Sequence, residues 1–131
     1  MARVALDADV VIAFLDAADD QHERAVGELR RRLAAGDEIL IGASAYAEVM
    51  VRPLARGTDA KVEEFLDGLG VRVVPIDRAV ARRGAELRAR HRSLRLPDAL
   101  SLATAMLTDA EVLTLDRRLR RVAARERPRA R

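Results

Sequence analysis

Residues 3–16 read RVALDADVVIAFLD. A short apolar run, Arg3–Leu6, ends on Asp7, and a second apolar stretch, Ala8–Leu15, follows with no turn residue between them. The first run has the length and content of a buried strand; the second, apolar on most faces, reads as a helix. A strand that hands over directly to a helix is the building step of a parallel sheet covered by helices. In such a sheet Asp7 falls at the carboxyl edge, where open α/β folds gather their ligands.

Working outward, the same plan repeats. Asp19 and Asp20 open an amphipathic helix that runs to about Ala35 and stops at Gly36. Glu38–Gly42 (EILIG) is the second strand, after which Ser44 is placed to cap a helix over Ala45–Val51 that Pro53 ends. Thr58 or Asp59 starts a further helix, closed near Gly68 and Gly70. Val71–Ile76 is the third strand, and Asp77 caps an arginine-studded helix to about His91. Pro97–Leu107 is an apolar helix, and Val112–Leu115 is the fourth strand, ending on Asp116. The order βαα–βαα–βα–αβα contains no hairpin signal and no repeat, which predicts a parallel sheet with helices on both faces. One domain is expected over residues 1–122; residues 123–131 (AARERPRAR) lose the apolar pattern and form an expected basic tail.

Composition narrows the function. The chain has 131 residues, half of them apolar and 34% charged, with no cysteine, so disulfides and thiolate metal sites are excluded. No apolar run approaches the roughly 18–20 residues of a membrane span. Asp7 and Asp9 interrupt the first apolar stretch in a way an export signal does not tolerate, so a cytoplasmic location is expected. The net charge of +3 conceals a division: residues 1–70 carry 8 Lys and Arg against 14 Asp and Glu, and residues 71–131 carry 16 Arg against 7 acids. The basic half can attract a polyanion or simply form a solvated helix face. Phe14, Tyr46 and Phe65 are the only aromatics, too few for a base-stacking platform, so any nucleic acid would be held through its phosphates.

Asp7 and Asp116 follow strands, Asp98 sits in the first turn of an apolar helix with Leu96 as the expected cap, and Glu48 lies inside its helix. Carboxylates that converge repel one another unless cations neutralise them, and oxygen-only ligands suit Mg²⁺ or Mn²⁺. Such a site activates water and braces a phosphodiester. Each acid also has a plain structural use. Asp7 can cap a helix, Glu48 can pair with Arg52, Asp116 with Arg120, and Asp98 can face a helix dipole. The D-x-D of Asp7 and Asp9 also fits the opening of haloacid-dehalogenase-type phosphatases, but that chemistry wants a lysine and the only one is Lys61, inside a helix. His22 and His91 have no partner at metal spacing: His91 reads as a surface residue and His22 as structural.

With the four acids placed, the chain resembles the PIN-domain family, and within it the VapC-type toxins of bacterial toxin–antitoxin pairs. The resemblance rests on LDADVVIAFLD around Asp7, ASAYAEVMVRP around Glu48, LPDALSLATAM around Asp98 and VLTLDRRLRRV around Asp116, in that order, with DQHERAV near His22. It implies a three-layer α/β/α sandwich with a short parallel sheet of four to five strands. It implies Mg²⁺- or Mn²⁺-dependent cleavage of structured RNA such as tRNA, and a homodimer neutralised by a small antitoxin. On that pattern Asp7, Asp98 and Asp116 bind metal, Glu48 shares the metal or orients the attacking water, and the Thr114 hydroxyl supports the cluster. Two positions depart from the family. Ala8 stands where Ser or Thr is usual, and Asp9 stands where Asn is frequent, adding a charge beside the site. The family's last strand is hard to find beyond Leu119. A catalytically inert PIN-like module that binds RNA or protein is the alternative.

Overall fold

The computed structural model describes residues 2–127. The described elements are β1 (Arg3–Leu6), α1 (Ala8–Leu15), α2 (His22–Ala34), β2 (Glu38–Gly42), α3 (Ala43–Arg56), α4 (Asp59–Gly68), β3 (Arg72–Val74), α5 (Arg78–Arg90), α6 (Leu96–Leu107), β4 (Glu111–Leu113) and α7 (Arg117–Glu126). The strands form one parallel sheet in the order β3-β2-β1-β4. Helices cover both faces, so the architecture is the three-layer α/β/α sandwich expected from the order of elements.

Side chains alternate across the sheet, as strand geometry requires. Val4 and Leu6 of β1, Ile39 and Ile41 of β2 and Leu113 of β4 point into one core with α1 to α4. Val112 points the other way, into a second core built from α5, α6 and α7 around Leu87, Leu94, Leu102 and Leu119. Both faces of the short strands are therefore apolar, which is why they read as continuous hydrophobic runs.

α6 lies against the sheet and is buried on several sides, through Ala99, Ser101, Leu102, Ala103, Thr104 and Ala105. Small residues permit that depth. At Gly42 an added Cβ would stand 2.9 Å from Thr104 Oγ1, and at Gly84 of α5 it would stand 2.7 Å from Leu100 Cδ2.

Several boundaries differ from those read in the sequence, each for a local reason. α3 begins at Ala43 with Gly42 as its cap, so Ser44 is inside the helix. α3 also passes through Pro53 and stops at Gly57, whose φ of +73° is the left-handed conformation that terminates helices. The carbonyl of Pro53 then accepts the Thr58 N–H at 2.8 Å. α2 starts at His22 and not at Asp19, because the Asp19 carboxylate is spent on a turn, accepting from the Gln21 N–H at 2.8 Å. The cap of α6 is Arg95, and Leu96 is its first residue. β4 ends at Leu113 instead of Leu115, since Thr114 and Leu115 turn their hydrogen bonds to acidic side chains. α7 continues to Glu126, past the boundary expected at residue 122. It is held there by Glu126, which takes a 2.7 Å contact from His91 Nε2 at the end of α5, so His91 is half-buried and partnered rather than a bare surface residue. Residues 128–131 of the expected tail lie outside the described residues. No described helix is long and apolar enough to cross a membrane.

Candidate functional site

Parallel pairing sets the site. Leu6 stands opposite both Ile41 and Leu113, so the three strands end level with one another, and the next residues emerge at one edge. The Asp7 N–H continues the ladder to the Leu113 carbonyl at 2.9 Å, which fixes the backbone just where β1 becomes α1. Its side chain caps α1, accepting from the Ala8 N–H at 3.0 Å, so the plain structural use foreseen for Asp7 is real. It does more than cap. Ser101 Oγ donates to the same oxygen at 3.2 Å, and Thr114 Oγ1 donates to the other at 2.9 Å. The residue is only 6% exposed. Burial pushes its carboxyl above the usual range, the Thr114 hydrogen bond opposes that, and the nearby Asp98 charge raises it further.

Thr114, 3% exposed, is the hub of the site. Its Oγ1 lies 3.2 Å from an Asp9 carboxylate oxygen and accepts the Asp116 N–H at 3.1 Å. Asp9, in the first turn of α1, also accepts the Leu115 N–H at 3.1 Å. Burial and the neighbouring Asp7 charge raise Asp9 from 3.8 to about 6, against the pull of the Leu115 and Thr114 hydrogen bonds. Asp116 takes a different course. It is the cap of α7, and its Oδ1 accepts from the Arg118 N–H at 2.8 Å and the Leu119 N–H at 3.4 Å. The structure joins it to the other acids through its backbone and Thr114, not through its carboxylate, and no ion pair with Arg120 forms.

Glu48 comes from the second turn of α3 and Asp98 from the first turn of α6, both helices that start or pack at the same sheet edge. Burial raises the Glu48 carboxyl, and so do the charges of Asp7 and Asp98, while Arg95 lowers it. The expected partner Arg52 makes no ion pair with Glu48; Arg95 serves this corner, with its Nε 3.6 Å from Asp98 Oδ2. Asp7, Glu48 and Asp98 thus face one another electrostatically, with Asp9 behind Asp7 and Asp116 turned aside.

Ser101 is the site residue that sequence reasoning passed over. Its signal was a hydroxyl three residues after Asp98 in the otherwise apolar LPDALSLATAM, which places both on one helix face. It is 4% exposed, and its hydroxyl is spent on Asp7.

Among the described residues no three His, Asp or Glu side chains stand close enough to grip an ion unaided. The donor set nevertheless suits a hard cation. It is all oxygen, the Asp98 charge raises Asp7, the Asp7 and Asp98 charges raise Glu48, and Mg²⁺ is commonly held by one or two carboxylates with water completing the shell. The histidines do not take part: His22 Nδ1 meets the Ala13 carbonyl at 2.8 Å, and Lys61 is on α4. A groove of about 1090 Å³ opens beside β4 and reaches the site only at Thr114 and Leu115.

These features define a class. The PIN domain family pattern matches residues 4–125, so the chain belongs to the PIN-domain family. Solved structures agree on the fold. A toxin–antitoxin complex from Klebsiella pneumoniae is 25% identical with a TM-score of 0.69, covering 86% of each chain. VapC20 of Mycobacterium tuberculosis, a sarcin–ricin loop cleaving toxin, is 18% identical with a TM-score of 0.70, covering 90% of this chain and 93% of that one. FitAcB from Neisseria gonorrhoeae is 22% identical with a TM-score of 0.72, covering 92% and 93%. No curated protein sequence matches the chain significantly. PIN membership displaces the haloacid-dehalogenase reading of the D-x-D pair.

Proposed function

We propose that this protein is a divalent-metal-dependent endoribonuclease, a VapC-type toxin that cuts structured RNA and is held in check by a small antitoxin. The observation that carries the reading is Asp7: a buried carboxylate at the carboxyl edge of the central strand, oriented by three donors and facing Asp98 and Glu48. A cap needs one donor; three donors and two acidic neighbours are the arrangement of a ligand site.

Asp7, Asp98 and Glu48 would hold Mg²⁺ or Mn²⁺, with Asp116 available if it leaves its cap. The ion, when bound, offsets phosphodiester charge and favours ionisation of water. The chain does the rest. Ser101 and Thr114 lock the Asp7 carboxylate, α3 brings Glu48 to where it orients the attacking water, and Arg95 steadies Asp98. An antitoxin silences such a cluster by inserting Arg or Lys among the acids. A homodimer completes the proposed assembly.

The test is Mg²⁺-dependent cleavage of a structured RNA by the wild type and by Asp7→Asn. Cleavage by the wild type alone is expected, with growth arrest on expression lost in the variant; equal activity in both sinks the reading. A second reading, an inert PIN-like module, is favoured by the inward turn of Asp116. Calorimetric titration separates them: no Mn²⁺ uptake at millimolar concentration selects the module.

A further inference from the structure

Beyond the acidic edge, α7 carries arginines at positions 117, 120 and 121, spaced so that they share one helix face. The opposite face, Leu119 and Val122, is buried in the second core. Arg24 of α2 joins them, and these four residues alone line a shallow, open hollow of about 670 Å³. None of the four belongs to an ion pair among the described residues.

The groove beside it differs. Arg24 and Arg120 also line the groove beside β4, where the other arginines are committed: Arg31 to Glu28, Arg32 to Asp37 and Glu111, and Arg127 to Glu111. Four guanidinium groups gathered without a carboxylate repel one another, and each presents a fork that matches the oxygens of a phosphate. No aliphatic or aromatic residue lines the hollow, so its polar surface is guanidinium alone. Its position follows from chain continuity. Arg117 is the residue after Asp116, whose N–H bonds Thr114, which bonds Asp7.

We propose that Arg24, Arg117, Arg120 and Arg121 form a phosphate seat for the RNA backbone, flanking the acidic cluster and holding a phosphodiester other than the one that is cut. The seat rests on the ribonuclease reading and adds to it the element that places the strand. The acids and the arginines then divide the work: the acids act at one phosphate and the arginines fix the register of the chain by gripping another, without reading bases.

The experiment uses the full-length chain with Asp7→Asn, which binds without cutting, and a labelled RNA hairpin followed by fluorescence anisotropy from about 50 to 200 mM salt. In that background Arg24→Ala with Arg121→Ala should weaken binding roughly 10-fold or more, and should lower the slope of log K against log salt by about one. Arg24→Lys with Arg121→Lys should keep most of the slope, because charge is retained. Circular dichroism confirms folding. An unchanged slope in the alanine variant, with RNA still bound and the wild type still cutting, overturns the seat and leaves the nuclease reading intact. A wild type that neither binds nor cuts RNA removes both. Competition by polyglutamate as strong as by RNA of equal charge makes the hollow a dock for acidic protein and also overturns the proposal.

Discussion

Replacing Asp9 by Asn removes a negative charge held against Asp7 while keeping an oxygen for the Leu115 N–H. In the folded chain Asp9 titrates near 6 instead of 3.8 because it is buried beside Asp7. The native state therefore holds its proton more tightly than the unfolded chain does. The sign follows: this group's contribution to stability is fully present below about pH 4 and is lost as the pH rises to about 6. At 1.36 kcal/mol per pH unit the difference amounts to ~3 kcal/mol, and solvent screening of a partly open carboxylate lowers it to about 1–2 kcal/mol. Asn cannot ionise and escapes the loss. The advantage of Asp9→Asn over wild type should grow from near zero at pH 4 to about 1–2 kcal/mol at pH 7, a rise in Tm of about 4–7 °C for a chain of this length. Urea titrations at each pH in excess chelator measure it. An advantage that is absent at pH 7, or equal at pH 4 and pH 7, refutes the argument that Asp9 carries strained charge.

Other outcomes follow from the same geometry. Ser101→Ala removes one of three donors on Asp7 and should weaken Mn²⁺ binding about 10-fold by calorimetry while leaving the fold intact. Thr114→Val leaves Asp7 short of a donor and the Asp116 N–H without its acceptor, and should cost about 1–3 kcal/mol in urea unfolding at pH 7. Gly42→Ala drives a methyl to 2.9 Å from Thr104 Oγ1 and should destabilise by about 1–3 kcal/mol; Thr104→Ala in the same chain should recover part of the loss, and simple additivity would show that the two never touch.

Much of the framework was legible because buried parallel strands are apolar on both faces: RVAL and EILIG stand out whatever their neighbours, while the edge strand RVV, exposed at Arg72 and Val73, is marked by its β-branched valines. Helix ends were harder. Pro53 looked like the end of α3, but the helix accepts it one turn before Gly57, and the true stop is the positive φ there. Thr114 and Leu115 look like strand residues by propensity; Asp9, more than a hundred positions away in sequence, claims their donors. The acids show the same division. Register brings Asp7 to the edge where β1 and β4 end, and the charges of Asp98 and Glu48 meet it there from α6 and α3. Direction was not legible: Asp116 occupies the right edge, but its carboxylate turns to the first amides of α7. Glu48 lacked its foreseen neighbour because Arg95, brought from the start of α6, serves that corner instead of Arg52.

The separation of the donors around Asp7 bears on when the site comes into being. Ser101 is 94 residues from Asp7 along the chain, and Thr114 is 107. β1 can pair with β2 once residue 42 is made, yet its other neighbour, β4, begins only at Glu111. Closing so long a loop is entropically slow and cannot begin before the C-terminal strand is available. A chain not yet made past residue 113 thus carries Asp7 without its Thr114 clamp. The pocket around Asp7 cannot close before that residue is in place.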